Sequence, residues 1–107
     1  MNDQEADSHS AQSRIKHVRK RLWDLMEKRN DIQSGRDKIY GTYHRALWIN
    51  QNLLPLHEEQ LKLETELQRI DPECPKDPRI LDPLRREIDA VRENVKRYAR
   101  KVADGDS

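Results

Sequence analysis

The stretch SGRDKIYG, residues 34–41, decides how the helices of this chain are arranged. It holds Gly35 and Gly41, two of the three glycines in the sequence. Glycine weakens a helix interior by about 1 kcal/mol relative to alanine, because it loses more conformational freedom on folding. Ser34 and Asp37 are three residues apart, the spacing of the two capping residues at the start of a new helix. The stretch therefore either lies within one long helix or separates two.

Apolar residues on both sides of this stretch recur at alternating intervals of three and four residues, the spacing of a coiled-coil seam. The seam residues are Ile15, Val18, Leu22, Leu25, Ile32, Ile39, Tyr43, Ala46 and Leu53. Since this register is unbroken across Gly35, we expect a first helix of about residues 13–53. A break at Gly35 is the alternative, and it would give a four-helix bundle.

Prolines punctuate the second half of the chain. Pro55 lacks a backbone N–H and disfavours helical angles at the preceding residue, so we expect a break there. Three prolines within residues 71–82 predict an extended loop, and Asp82 followed by Pro83 is typical of a helix start. The expected segments are a disordered acidic tail (1–12), one helical domain (13–103) with helices of about 13–53, 56–70 and 83–103, the proline-rich loop (71–82), and a second tail (104–107).

These segments predict an all-α fold, either an antiparallel coiled coil or an open three-helix bundle with one long N-terminal helix. At 1.5 Å per residue, the first helix is about 62 Å long and the third about 32 Å. A hairpin of the second and third helices therefore covers about half of the first. The other half must meet another copy, another protein, or its own chain after a turn at Gly35.

Composition limits the class of protein. The 107 residues are 38% charged and 34% hydrophobic, with a mean hydropathy of −1.16, which suits helical assemblies with thin cores. No apolar run approaches the roughly 20 residues that span a bilayer, and the acidic N-terminus is unlike a signal or transit peptide. A single cysteine, Cys74, rules out an internal disulfide framework. We expect a soluble protein of the cytoplasm or nucleus.

Charge is segregated along the chain, although the net charge is only +1. Residues 1–13 carry three acidic side chains and no basic ones, and residues 14–53 carry ten Lys or Arg and four acids. Residues 54–78 carry three basic and seven acidic side chains, and residues 79–107 carry eight and six. This basic–acidic–basic order predicts helices that pair with one another.

Metal, cofactor and enzymatic chemistry find little support in the sequence. The histidines show no paired ligand spacing, and we expect all four to be solvated on helix surfaces: His9, His17, His44 and His57. The glycines form no phosphate-binding loop. Cys74 follows Glu73, an acidic neighbour that opposes thiolate formation. We therefore expect no metal, no cofactor and no enzymatic activity.

The run RIKHVRKR, residues 14–21, is the most basic part of the chain. Such a run can neutralise phosphates, bind an acidic partner, or pair with the acidic second helix. Its cationic residues are Arg14, Lys16, Arg19, Lys20 and Arg21. A nucleic-acid-binding helical protein is therefore the alternative function, with added contacts from the third helix at Arg85, Arg92, Lys96 and Arg100. The near-zero net charge counts against it.

Arg29 and Arg36 occupy seam positions one heptad apart, where apolar residues are expected. They can extend outward over an imperfect seam. They can instead form a polar layer with carboxylates of the second helix or of a partner. The one-heptad interval favours the polar layer.

Aromatic residues gather on a second stripe of the predicted first helix. At about 100° per residue, Tyr40, His44 and Trp48 point away from the main seam, and Met26 and Trp23 lie at similar angles. Such a stripe is either packing between neighbouring helices or a binding surface. We expect a non-enzymatic protein–protein interaction module (an adaptor, assembly factor or inhibitor) that forms a homo-oligomer or a hetero-complex. Its predicted contact residues are Trp23, Met26, Tyr40, His44, Trp48, Arg19 and Arg45.

Overall fold

The computed structural model describes residues 3–35 and 38–105, with side chains from residue 11 onward. Over these residues the chain is helical and contains no strand. Helix α1 spans Asp3–Gly35, α2 spans Thr42–Ile70, a short 3₁₀ helix spans Pro78–Leu81, and α3 spans Asp82–Ala103. The predicted all-α class is confirmed. None of the helices in the described part of the chain has the length and apolar content needed to cross a membrane.

The first helix ends at Gly35, so the predicted continuous helix of residues 13–53 is wrong. Gly41 directly precedes α2 with φ 87° and ψ 131°, a conformation that side chains with a Cβ atom rarely adopt. Arg45 holds the connection from the other side, because its Nε and Nη2 donate hydrogen bonds to the carbonyl of Ile39 at 3.2 and 3.1 Å. The heptad spacing is kept on both sides of the turn, but it belongs to two helices rather than one.

The second helix runs through Pro55, so the predicted start at residue 56 is also wrong. A proline inside a helix deprives the carbonyl four residues earlier, that of Gln51, of its usual donor. Pro55 and Gln51 are both exposed, so water can bind this carbonyl. The break at Gly35 and the continuation through Pro55 leave three helices in the described chain, not four.

The remaining helix ends differ less from expectation. α1 begins at Asp3, inside the segment predicted to be a disordered tail, because adding turns to an existing helix costs far less than nucleating one. α3 agrees with the predicted residues 83–103 to within one residue.

Helix α2 packs against α1 along an apolar seam. Arg14 pairs with Glu66 and Arg21 pairs with Glu59, so residue numbers rise on one helix as they fall on the other and the two helices are antiparallel. The buried residues of this seam are Val18, Leu25 and Leu63, with Leu22, Leu56, Leu67 and Ile70 partly buried around them.

The other side of α2 packs antiparallel against α3. The rings of Tyr43 and Tyr98 lie 6.1 Å apart, and Arg92 lies 3.3 Å from Glu58. The buried apolar residues on this side are Leu81, Ile88 and Val91. In the described residues no Cα atom of α1 lies within 8 Å of one in α3, so α2 is the middle helix of a flat molecule of 65 × 27 × 17 Å.

Candidate interaction surface

Two arginines of the basic run hold α1 against α2. Arg14 donates from Nε and Nη2 to the two carboxylate oxygens of Glu66, both at 2.7 Å. Arg21 binds Glu59 in the same two-pronged way at 2.6 and 2.8 Å. These hydrogen bonds lower the pKa of both carboxyls below the ordinary glutamate value. The predicted pairing of basic and acidic segments is confirmed here.

A third arginine joins α1 to the beginning of the proline-rich loop. Arg19 Nη2 donates to Oδ2 of Asp71 at 2.5 Å, and the Asp71 side chain is only 5% exposed. The backbone N–H of Glu73 donates to the same carboxylate, and this bond, followed by the one from Arg19, lowers the pKa of Asp71. Lys76 binds the Asp71 carbonyl at 2.7 Å. The half-buried, unpaired Cys74 lies in this turn, where its N–H also binds that carbonyl.

The residues predicted to contact phosphates are largely engaged within the chain. In the run 14–21, Lys16 and Lys20 are the cations that make no ion pair with a described residue. Of the four predicted cations on α3, Arg85, Arg92 and Lys96 each lie within 4 Å of a carboxylate. The fourth, Arg100, is exposed and makes no ion pair with a described residue. Pairing of this kind reduces the positive charge available to a nucleic acid.

One face of the α1–α2 seam opens into a groove of about 260 Å³, which we call the Trp23 groove. Leu22, Leu25 and Leu56 supply its apolar surface. Trp23 is 60% exposed and Met26 is 54% exposed beside it, which is high for side chains of this size. The full lining comprises Arg19, Leu22, Trp23, Leu25, Met26, Arg29, Leu56, Gln60 and Glu64.

The indole of Trp23 is oriented by its own helix. Its Nε1–H donates to Oε1 of Glu27 at 3.0 Å, one turn further along α1. The only polar group of the ring therefore already has a partner. Another molecule can cover the ring without burying an unpaired donor, which would otherwise cost about 1–3 kcal/mol.

Two charges in the groove lining remain uncompensated. Arg29 and Glu64 make no ion pair within 4 Å of any described residue. Arg29 is exposed, so the predicted polar layer has no internal carboxylate at this position. Arg36, the other predicted member of that layer, lies outside the described residues.

A second hollow, of about 410 Å³, lies between α2 and α3 but has a different character. Its arginines already face carboxylates, since Arg92 contacts Glu58 and Asp89, and Arg85 contacts Asp82. No large apolar side chain projects from it in the way that Trp23 projects beside the first groove. The Trp23 groove is therefore the stronger candidate for binding.

The chain reversal divides the predicted aromatic stripe. Tyr40 is 92% exposed in the connection between α1 and α2, and His44 and Arg45 follow on the exposed first turns of α2. Trp48 is half-buried against Gly35, where an added Cβ atom would lie 2.9 Å from Cη2 of the indole. A single stripe requires a continuous first helix, and the turn after Gly35 removes that continuity. Of the five residues in the predicted stripe, only Trp23 and Met26 line the groove.

A buried histidine, His57, lies close to the groove, and the sequence pattern does not predict it. His57 is 1% exposed, so it is not the solvated residue that was predicted. Neither ring nitrogen has a described partner in hydrogen-bond geometry. Burial and then the charge of Arg29 lower its pKa, while Glu87 of α3 and the nearby Gln60 act weakly in the opposite direction. His57 can be assigned to a buried helix face only if α2 continues through Pro55, which the sequence does not predict.

Metal binding has no support in the described residues, which contain no group of three His, Cys, Asp or Glu side chains able to hold an ion. Comparison with known proteins finds no matching family model, no matching curated protein and no matching solved structure.

Proposed function

We propose that the chain is a non-enzymatic protein–protein interaction module, acting as an adaptor, assembly factor or inhibitor through the Trp23 groove. The observation that carries this proposal is the exposure of Trp23 and Met26 beside an apolar groove. Tryptophan and arginine dominate binding hot spots, and methionine adapts to irregular surfaces. α1 packs on α2 alone in the described chain, so its outer side is open to another molecule.

The energy available from this surface is substantial. The exposed part of the Trp23 side chain amounts to about 150 Å². Covering it contributes about 4 kcal/mol at about 25 cal/mol per Å². Because the indole N–H is already bonded to Glu27, little of this is lost to an unpaired donor. A partner that fills the groove beside the ring gains contact with Leu22 and Leu56 as well.

A photocrosslinking experiment tests the proposal. A photoreactive amino acid replaces Gln60 in the groove, or Arg86 on the exposed side of α3 as the control position. After irradiation in native extract, mass spectrometry identifies proteins crosslinked from each position. We expect a specific set from position 60 that disappears with Trp23→Ser and persists with Tyr40→Ser. Identical sets from positions 60 and 86, or sets unaffected by Trp23→Ser, would contradict the proposal.

Nucleic-acid binding is the alternative, and it is favoured by Lys16 and Lys20, which are exposed and make no ion pair with a described residue. Contact through two lysines gives a shallow salt dependence, with a log–log slope of about −2 on duplex DNA. A mobility shift at low salt that is lost in Lys16→Glu/Lys20→Glu supports this alternative. No shift at low salt removes it.

A further inference from the structure

The Trp23 groove carries a positive charge at one end and a negative charge at the other, and neither charge is paired with a described residue. Arg29 and Glu64 both line the groove and make no ion pair with described residues. Arg19 also lines it, but its charge is compensated by Asp71 at 2.5 Å. The groove is therefore electrically polar along its length rather than uniformly basic.

The pairing of α1 with α2 fixes how far apart these charges lie. Because residue 14 faces 66 and residue 21 faces 59, Glu64 lies level with about residue 16 of α1. Arg29 is about 13 residues further along α1, a distance of about 20 Å. Trp23 lies near the midpoint of this span. The large apolar side chain is thus central, and the opposite charges lie at either end.

A surface of this kind is complementary to itself after a half-turn. Rotation by 180° about an axis through the middle of the groove exchanges its two ends. The positive end of one copy then faces the negative end of the other, and both pairs form at once. Two-fold dimers have this property, in which residue i contacts residue j and j contacts i.

We infer that the groove binds a second copy of this chain. In the resulting two-fold dimer, Trp23 and Met26 of the two copies pack together at the centre, and Arg29 of each copy pairs with Glu64 of the other at the two ends. The α1 helices of the two copies run antiparallel across the interface. The inference rests on the proposed function, since it names the partner that fills the same groove.

Charge complementarity selects this occupant over others. An acidic helix would neutralise Arg29 but would place like charge against Glu64, and a basic helix would do the reverse. A second copy satisfies both residues, and central apolar contacts flanked by charged groups are the usual anatomy of an interface. A different protein in the groove is an outcome that the tests below separate from self-association.

Charge reversal tests the dimer directly. Sedimentation equilibrium at about pH 8 follows the mass from ~1 µM to ~1 mM. We expect the wild-type protein to move from 12.8 kDa towards twice that mass. Arg29→Glu and Glu64→Arg each place two like-charge contacts in every dimer, so each should raise the dimer Kd at least about tenfold. The double variant Arg29→Glu/Glu64→Arg restores opposite charges and should return the Kd to within about threefold of wild type.

Matched controls keep the outcome interpretable. Arg86→Glu makes the same change of charge on the exposed side of α3 and should leave the Kd unchanged. Circular dichroism checks that every variant keeps its helicity, and Trp23→Ser should abolish the dimer in a folded chain. A wild-type protein that stays at 12.8 kDa at ~1 mM overturns the inference. So does a dimer that the double variant fails to restore.

The two proposals fail in distinguishable ways. A monomeric protein that still crosslinks to other proteins from position 60 in a Trp23-dependent manner keeps the proposed function and rejects the dimer. If Trp23→Ser changes neither the sedimentation nor the crosslinking, the groove is not a binding surface and both proposals fail.

Discussion

Trp48 packs directly against Gly35, so closely that a Cβ atom at position 35 would lie 2.9 Å from Cη2 of the indole. Carbon atoms pack at about 3.5–4.0 Å, so only glycine leaves the ring its present position. The contact joins the last residue of α1 to the second turn of α2. Gly35 is therefore required for close packing as well as for ending a helix.

We expect Gly35→Ala to lower the melting temperature, although alanine favours the helix by about 1 kcal/mol. Displacing the indole costs more, since overpacking typically costs about 1–3 kcal/mol. In a Trp48→Leu background the ring is absent, and the same alanine should raise the melting temperature. Thermal unfolding followed by circular dichroism compares the four proteins. Stabilisation by Gly35→Ala in both backgrounds would show that the indole does not constrain position 35.

Trp48→Ala should reduce the free energy of unfolding by about 2 kcal/mol, less than the 3–5 kcal/mol of a fully buried tryptophan because the ring is only half-buried. Tyr40→Ala is the matched control, since that ring is 92% exposed and its loss should change stability by less than about 0.5 kcal/mol. Urea unfolding measures both. A larger loss of stability from Tyr40→Ala than from Trp48→Ala would mean that Trp48 lies on the exposed stripe that the sequence predicts.

Gly41→Ala should destabilise the protein by about 1–3 kcal/mol, because φ 87° and ψ 131° lie outside the regions that alanine readily adopts. Gly105→Ala provides a comparison at φ 101°, two residues beyond the end of α3, where nothing lies within 4 Å of an added Cβ atom. Fraying there can relieve the strain, so its cost should be smaller. Equal costs in urea unfolding would mean that the α1–α2 connection relaxes as easily as the end of α3.

Acidification should destabilise the fold below about pH 6.5 through His57. Its folded-state pKa is lowered, so in the interval between that pKa and about 6.5 the unfolded chain binds more protons. The stability due to the neutral, buried imidazole is complete above this interval and is lost as the pH falls through it. The charges facing the ring are Arg29 on α1 and Glu87 on α3. Urea unfolding between about pH 8 and pH 5 measures the loss.

His57→Leu is the matching control, because leucine fills the site without titrating. We expect its stability to change little over the same interval. Both proteins should lose stability at lower pH, near and below about 4, because the paired carboxyls have lowered folded-state pKa values. Those carboxyls are Glu59, Glu66, Asp71 and Asp77. An equal loss between about pH 6.5 and 5 in the leucine variant would assign that loss to other groups.

The sequence predicted α3 well because its signals agree with one another. Pro83 marks the start, and apolar residues from Leu84 to Val102 keep one strict spacing on a single face. Ile88 and Val91 of that face are buried as expected. The same signals predict the antiparallel hairpin of α2 and α3, because the proline-rich loop that connects the two helices is short in sequence.

The sequence predicts the boundary between the first two helices in the wrong place, because two local rules disagree with the surroundings of Gly35 and Pro55. The heptad register favoured continuity at Gly35, while helix preference favoured a break at Pro55. At both positions, the degree of burial determined whether the helix ends or continues. The indole of Trp48 occupies the space beside Gly35, and Pro55 lies on the exposed side of α2, where water can reach the carbonyl that lacks a donor. Neither circumstance can be read from residues near each position.

The candidate site was predicted in part for the same reason. Trp23, Met26 and Arg19 line the groove as members of the expected contact set, and they all come from one uninterrupted helix. Their α2 neighbours Gln60 and Glu64 could not be predicted, because their positions depend on the reversal between the helices. The basic run predicts ion pairs with acidic residues of the second helix. It does not identify Arg14, Arg19 and Arg21 as the residues that form ion pairs.

The middle position of α2 has a consequence for how the fold comes apart. Among the described residues, α1 and α3 both pack on α2 but have no Cα atoms within 8 Å of one another, so each outer helix can detach while the opposite seam stays intact. Local opening then has two separate routes, and amide hydrogen exchange in α1 need not follow that in α3. Substitutions in the Val18–Leu25 seam and in the Ile88–Val91 seam should accordingly add in their effects, whereas those in α2 couple both.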